Sequence, residues 1–234
     1  MKNSRDIMPE LVDSNNFVNC EISSLHLDSR DVKEGSVFFA IKGKNLNGID
    51  FIEEARSKGA KLIISEELIS DKDVVHCNNL KEFLGKFASR FYSYASKELT
   101  TFCATGTNGK TTSVETYANI CKRLGKQCGY ISTIGKSIDG KVIDEPSHLT
   151  TPDPISLNHS LSEMLLNGAT HAAFEASSHG LDQGRLSGIS IDHAVLTSFS
   201  QDHLDYHKSI EEYGNAKRIL FKDLQPKHSF IQID

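Results

Sequence analysis

Residues 104–112 read Ala104-Thr-Gly-Thr-Asn-Gly-Lys-Thr-Thr112, a spacing suited to holding phosphate oxygens. Gly106 and Gly109 supply flexible backbone, and the N–H groups of Gly106, Thr107, Asn108 and Gly109 can turn toward an anion. Lys110 adds a positive charge, the Thr111 hydroxyl can ligate magnesium, and Thr112 follows in the same turn. Ala104 stands where the general pattern begins with Gly. A Gly-Lys turn in an ordinary α/β loop is the plainer alternative. The context favours phosphate. Thr101-Phe-Cys-Ala104 reads as a short buried strand, and Thr111 to Leu124 carries Val114, Tyr117, Ala118, Cys121 and Leu124 at helical spacing. Strand, Gly-rich turn and helix imply a nucleoside triphosphate site.

Three further clusters fall where a parallel sheet would bring its strand ends together. His148-Leu-Thr-Thr-Pro-Asp153 is a polar turn before a helix; it suits an anionic ligand and is also an ordinary helix entry. Phe174-Glu-Ala-Ser-Ser-His-Gly-Leu-Asp-Gln-Gly-Arg185 places Glu175 at the end of an apolar strand, where phosphoryl-transfer enzymes hold magnesium. A Ser178–His179–Asp182 triad is disfavoured, because sequence neighbours seldom form one and no Gly-x-Ser-x-Gly elbow is present. Ser198-Phe-Ser-Gln-Asp-His-Leu-Asp-Tyr-His207 precedes Tyr213 and Asn215-Ala-Lys217. His203 and His207 could share a helical face as paired zinc ligands do, but no acid lies between them in the zincin arrangement. Thr111 and Glu175 make oxygen-rich ligation, hence magnesium, the expectation. The plainer reading of the histidines is a solvated loop, and Lys217 alone reads as a surface lysine.

The elements that must position these residues alternate. Ser36–Ile41 and Ala60–Ile64 read as strands, Ile52–Lys58 as a helix, and Leu80–Tyr94 as a longer amphipathic helix bearing Leu80, Phe83, Leu84, Phe87, Phe91 and Tyr94 on one side. The polar Ser96-Lys-Glu98 marks an expected domain boundary. Beyond it come strand-like Gly129–Ile131, helix-like Ile155–Leu166, strand-like Ala172–Ala176 and Asp192–Thr197, and helix-like Ile210–Lys222. This order predicts an α/β fold with a mostly parallel sheet covered on both faces. Ser229-Phe-Ile-Gln-Ile-Asp234 reads as a strand, either at a sheet edge or cut from a longer chain.

The 234 residues hold 26 Lys+Arg against 31 Asp+Glu, a net charge of −5, with no basic run of the kind that grips nucleic acid. No segment approaches the roughly 20 apolar residues of a membrane span. The N-terminus lacks the apolar stretch of a signal peptide, so the expectation is a soluble cytoplasmic protein. Five cysteines form no CxxC pair and read as reduced, structural thiols.

Together the motifs resemble the Mur ligases, and within them the UDP-N-acetylmuramoyl-tripeptide synthetase type. The residues that carry the resemblance are 104–112, Thr150-Thr151-Pro152, Glu175-Ala-Ser-Ser-His-Gly180 with Gln183 and Arg185, Asp202–His207, and Lys217; earlier in the chain they are Leu27-Asp-Ser-Arg30, Gly35–Ala40 and Gly43–Gly48. The resemblance implies a UDP-sugar-binding domain over residues 1–96 and a central ATPase domain over 97–234. It implies ATP-driven joining of a diamino acid, meso-diaminopimelate or L-lysine, to UDP-MurNAc-L-Ala-D-Glu through an acyl phosphate, by a monomer without nucleic-acid or membrane partners. By resemblance Gly106 to Thr112 hold ATP, and Thr111 and Glu175 hold one Mg2+. His203 and Lys217 serve a second, with Lys217 converted by CO2 to N6-carboxylysine. Thr150, Thr151, Ser177, Gln183 and Arg185 match positions on the muramoyl-peptide side, and Leu27, Ser29, Lys44, Asn45 and Leu46 match positions around the uridine.

Ser198 stands where the family commonly has Asn, and Leu149 where some members have Asn before the Thr pair. Full-length members continue into a C-terminal domain that selects the amino acid, so the chain is expected to be the N-terminal portion of a longer ligase. Folylpolyglutamate synthetase is an alternative that shares the ATPase domain, but it begins near the phosphate loop and offers no counterpart to residues 22–95. A non-catalytic truncated protein that binds nucleotide-sugar and ATP is the third reading.

Overall fold

The computed structural model describes residues 1–234 except 44–45, 139, 145–148, 204 and 233–234, and gives the backbone but not the side chains of 142–144. The chain divides into two units, Met1–Phe91 and Tyr92–Asp234.

The first unit opens with a small antiparallel pair, β1 (Lys2–Asn3) with β2 (Glu21–Ile22), around α1 (Ser4–Ile7). Its main sheet is parallel, with β3 (Ser24–His26), β4 (Ser36–Ala40), β5 (Ala60–Ser65) and β6 (Val74–His76) in that spatial order. Every residue of β4 is buried, as a strand covered on both faces requires. Phe38 and Ala40 face Ile52 and Ala55 of α2 (Ile52–Ser57). On the alternate side Phe39 stacks on Phe87 of α3 (Leu80–Phe91) at 6.4 Å. The expected helix over Leu80–Tyr94 is therefore shorter. Ser93 and Tyr94 take positive φ of 57° and 56°, which breaks the turn and leaves Tyr94 off the apolar stripe and 41% exposed.

The second unit begins with α4 (Ala95–Glu98) and continues β7 (Thr100–Thr105), α5 (Lys110–Arg123), β8 (Cys128–Ser132), β9 (Gly135–Ile138), β10 (Lys141–Asp144), α6 (Pro154–Leu166), β11 (His171–Glu175), α7 (Ser178–Asp182), β12 (His193–Leu196), α8 (Ile210–Lys222) and β13 (His228–Ile231). The strands lie in the order β10-β9-β8-β11-β7-β12-β13. β8, β11, β7, β12 and β13 are parallel, while β9 and β10 turn back as an antiparallel hairpin at one edge. The hairpin escapes a hydrophobicity reading because Gly135-Lys-Ser-Ile138 has no apolar alternation; buried Lys136 is matched by Glu163 at 2.8 Å.

Alternation along the central strands builds two cores. Cys103 and Phe174 face Leu157, Leu161 and Met164 of α6 and Leu220 of α8. Ala104 and Ala173 face Val114, Ala118 and Cys121 of α5. Asp153 caps α6 by accepting from Ile155 N at 2.9 Å and Ser156 N at 3.1 Å, with Pro154 in the first turn. Ser209 caps α8 by accepting from Glu212 N, and Glu212 accepts from Lys208 N in return. β13 borders the sheet among the described residues, with Phe230 at 54% and Ile231 at 55% exposure; residues 233–234 of the expected strand lie outside the described residues.

Phe174 is 1% exposed at the centre of the larger core. Phe174→Ala should destabilise the second unit by about 3–5 kcal/mol, read as a lowered urea midpoint at constant m-value.

Candidate functional site

Because β7, β8, β11 and β12 run parallel, their carboxyl ends lie side by side, and the polar segments that follow them meet there. After β7, Gly106 and Gly109 take φ of 154° and 86°, within the region that favours glycine. A Cβ at Gly106 would stand 2.0 Å from Thr197 Oγ1, so only glycine admits the close approach of the β12 exit. That exit holds the loop. Thr107 N donates to Ser198 O at 3.0 Å, Asn108 N donates to Ser198 Oγ at 2.9 Å, and Thr197 Oγ1 donates to Asn108 O at 2.6 Å. Lys110 Nζ donates to the carbonyls of Gly106 at 2.9 Å and Thr107 at 3.1 Å. Burial lowers the Lys110 pKa, with Glu175 and Asp202 opposing the shift. The first N–H groups of α5 have no intrahelical acceptor and form the positive end of its dipole.

Glu175 closes β11 and is 1% exposed. Its Oε1 accepts from Thr111 Oγ1 at 2.9 Å and from Thr133 N at 2.9 Å, and Thr133 Oγ1 lies 3.3 Å away. Thr111 and Glu175 are thus brought into direct contact. Thr133, just past β8, completes the carboxylate's surroundings, and nothing in its sequence context marks it.

Against the loop lies a cleft of about 260 Å³ lined by Gly106, Lys110, Thr150, Ser177, Arg185, His203 and Lys217 among others. Lys217 is 3% exposed, against the plain reading of a surface lysine, because Tyr213, Ala216, Lys217 and Leu220 form the buried stripe of α8. Burial and the neighbouring Lys110 charge lower its pKa to about 7, with Asp202 opposing. His203 sits at φ 51° with its ring 3.6 Å from Asp202 Oδ2. His203 and His207 are joined by one turn, His207 N donating to His203 O at 2.9 Å, and lie in no helix. His203 is 45% exposed and His207 is buried, so they do not present a paired-ligand face. Burial, ahead of the His203 and Lys217 charges, lowers the His207 pKa, against the pull of Asp182. The His179 ring packs against Tyr206 at 4.0 Å and His203 at 5.1 Å. Ser178 Oγ is buried without a hydrogen-bond partner, which removes the triad. Among the described residues no three His, Cys, Asp or Glu side chains converge as a metal cluster.

The remaining expected contacts separate. Thr151 is fully buried; its hydroxyl donates to Glu175 O at 3.0 Å and accepts from Ser177 N at 2.9 Å. Arg185 Nη1 donates to Thr151 O at 2.6 Å, and Gln183 Oε1 accepts from Arg185 Nη2 at 2.6 Å. Thr151 therefore braces the wall that Thr150, Ser177 and Arg185 present. In the first unit Leu27 and Ser29 follow β3 and Leu46 follows the neighbouring β4. Ser29 is buried with its hydroxyl donated to Glu54 Oε2 at 2.6 Å, and Leu46 is 67% exposed. Lys44, Asn45 and His148 lie outside the described residues.

A glycine-rich loop between a central parallel strand and a helix, with a buried carboxylate ending the next strand, defines a phosphate-binding α/β fold. The Mur ligase middle domain matches residues 104–234, and the Mur ligase family catalytic domain matches residues 21–92. The chain belongs to the Mur ligase family. It is 38% identical over 219 residues to a UDP-N-acetylmuramoyl-L-alanyl-D-glutamate–2,6-diaminopimelate ligase of Cytophaga hutchinsonii, covering 92% of this chain and 44% of the relative. A protein of the same name from Bacillus cereus is 41% identical over 207 residues, covering 88% of this chain and 42% of the relative. The chain thus spans less than half the length of these relatives. A solved structure of a ligase of that name superposes with a TM-score of 0.82 at 29% identity, covering 100% of this chain and 53% of the other. A MurF ligase from Thermotoga maritima in complex with ADP shares the fold, with a TM-score of 0.64 at 24% identity, covering 90% and 46%.

Thr151→Val keeps the volume but leaves Ser177 N and Glu175 O without their partner. It should cost about 1–3 kcal/mol of stability in urea titration.

Proposed function

We propose that the chain carries a UDP-sugar-binding domain in its first unit, which ends at Phe91 rather than at the expected residue 96, and a central ATPase domain in its second, of an ATP-dependent ligase of peptidoglycan precursor synthesis. The ligase joins a diamino acid to UDP-MurNAc-L-Ala-D-Glu, and the shared name of the relatives favours 2,6-diaminopimelate over L-lysine. The observation that carries the reading is the contact of Thr111 with buried Glu175 at 2.9 Å beside the glycine-rich loop. In this reaction the γ-phosphoryl group of ATP passes to the D-Glu carboxylate, giving an acyl phosphate and ADP. The incoming amine then attacks the acyl carbon, phosphate leaves, and the amine nitrogen loses a proton. The protein acts as a monomer in the cytoplasm; no helix among the described residues is long and apolar enough to cross a membrane.

Gly106 to Thr112 surround the phosphates, and Lys110 exchanges its loop carbonyls for phosphate oxygens. The donors fit a hard cation: a buried carboxylate and a hydroxyl in direct contact. Thr111 and Glu175 would hold one Mg2+, and His203 with carbamylated Lys217 a second. Magnesium supplies neutralisation of charge on the transferring phosphoryl oxygens. Leu27, Ser29, Lys44, Asn45 and Leu46 serve the uridine side. Thr150, Ser177, Gln183 and Arg185 serve the muramoyl-peptide side, with Thr151 behind them.

Lys110→Ala should weaken MgATP binding by about 1.5–3 kcal/mol, roughly 10- to 150-fold, in calorimetry. Unchanged affinity would remove the loop from the site. A chain that binds MgATP but shows no heat with UDP-MurNAc-L-Ala-D-Glu would sink the ligase reading.

Lys217 should accept CO2. Its depressed pKa of about 7 leaves a neutral amine above that pH, and the neutral amine is the form that attacks CO2 and then sheds a proton. At fixed dissolved CO2, carbamate should therefore rise as the pH climbs from 6 to 8. 13C NMR with labelled CO2 should show a carbamate carbon that Lys217→Ala abolishes; a spectrum without it at pH 8 would reject the modification.

A further inference from the structure

We propose that Tyr213 is a positioning residue that fixes Lys217 against the phosphate loop, so that loop geometry and lysine placement change together. This role rests on the reading of Lys217 as a functional group.

Tyr213 is the largest fully buried side chain among the described residues, and it carries a hydroxyl into that interior. A buried phenol requires a partner. The partner is Thr107 Oγ1, inside the phosphate loop, at 3.0 Å. Thr107 has one hydroxyl hydrogen, which it gives to Ser200 O at 3.0 Å, and it accepts from Ser200 N at 3.0 Å. Only an acceptor position remains, so Tyr213 donates. The same ring carries Lys217 Nζ 4.4 Å from its centroid. Tyr213 and Lys217 are one helical turn apart on α8, the spacing at which side chains meet. At that distance an amine cation is attracted by the ring face.

The ring itself has little freedom. Phe199, in the β12 exit, stacks on it at 5.6 Å and 18°. Gly214 lets Phe199 in: a Cβ there would stand 3.2 Å from Phe199 Cζ. The His207 and His203 rings lie 5.5 Å and 6.2 Å away. One rigid side chain thus touches the phosphate loop through its hydroxyl and the functional lysine through its face. Packing alone would be served by Phe; the hydroxyl is what links the two.

Lysine labelled with 13C at Cε reports on this directly, because the Tyr213 ring current shifts the Lys217 signal, which Lys217→Arg identifies. Thr107→Val should move that resonance in the otherwise unaltered chain and leave it in place in the Tyr213→Phe background. Addition of Mg2+ with a non-hydrolysable ATP analogue should also move it, and Tyr213→Phe should abolish most of that response while keeping the ring shift. Tyr213→Leu should lose the ring shift. Nucleotide affinity should fall about 2- to 10-fold in Tyr213→Phe, the range of one hydrogen bond, with no further loss on adding Tyr213→Phe to Thr107→Val. Far-UV circular dichroism and urea midpoints confirm that the variants are folded. Multiplicative affinity losses, or a Lys217 resonance that answers Thr107→Val equally in both backgrounds, would overturn the proposal. Failure of Lys217 to form a carbamate would count against its functional reading alone, since the ring-shift cycle needs neither CO2 nor nucleotide.

Discussion

Burying a carboxylate is costly unless donors surround it, and Glu175 meets that condition only because three strand ends are in register. β11 delivers the carboxylate, the β7–α5 loop delivers the Thr111 hydroxyl, and the β8 exit delivers Thr133 N and Oγ1. None of these donors is local to Glu175. A slip of one residue in β11 would turn Glu175 to the opposite face and Phe174 out of the core. Core packing and site geometry are therefore the same constraint, set by the pairing of Phe174 with Cys103 and of Glu175 with Ala104.

Of the amines beside the loop, Lys217 is buried as well and Lys110 is half-buried. Burial lowers both pKa values and the Lys110 charge lowers that of Lys217 further, while Asp202 opposes both shifts and Glu175 opposes that of Lys110. Burial beside the Lys110 charge favours a neutral Lys217, against the pull of Asp202 and the attraction of the Tyr213 face for the cation. The helix pattern enforces the arrangement. Lys217 occupies an apolar-stripe position of α8, so the burial that seats Leu220 and Tyr213 also desolvates the lysine.

Most of the architecture was legible because its signals are periodic. The strand over 101–104, the helix after the loop, and the strands ending in Glu175 and near Thr197 follow from apolar runs and spacing. The sites that escaped depend on tertiary partners. Thr133 lies in a turn and Ser198 in the irregular exit of β12, and only sheet order reveals that one meets Glu175 and the other Asn108. The β9–β10 hairpin pairs through backbone with no apolar alternation to announce it. His203 and His207 looked like a helical pair because spacing alone cannot distinguish a helix from a single turn entered at positive φ. The stripe of α8 could have revealed Lys217: a lysine at the buried phase of an amphipathic helix is exceptional enough to mark a functional group.

The loop's own hydrogen bonds set how it can act. Lys110 is bonded to the carbonyls of Gly106 and Thr107, and the N–H groups of Thr107 and Asn108 are taken by Ser198. At Lys110, Thr107 N and Asn108 N an entering anion exchanges one set of hydrogen bonds for another, and exchange between neutral partners yields little net energy, whereas the first N–H groups of α5 have no intrahelical acceptor to give up. In the proposed nucleotide site, affinity then comes from those N–H groups and from the change in charge, as the Lys110 ammonium would leave neutral carbonyls for phosphate oxygens where burial strengthens that attraction. A loop built this way keeps its shape without ligand, held by the β12 exit, and discriminates by charge. Its geometry follows from Gly106, the one residue that lets Thr197 come close enough to hold it.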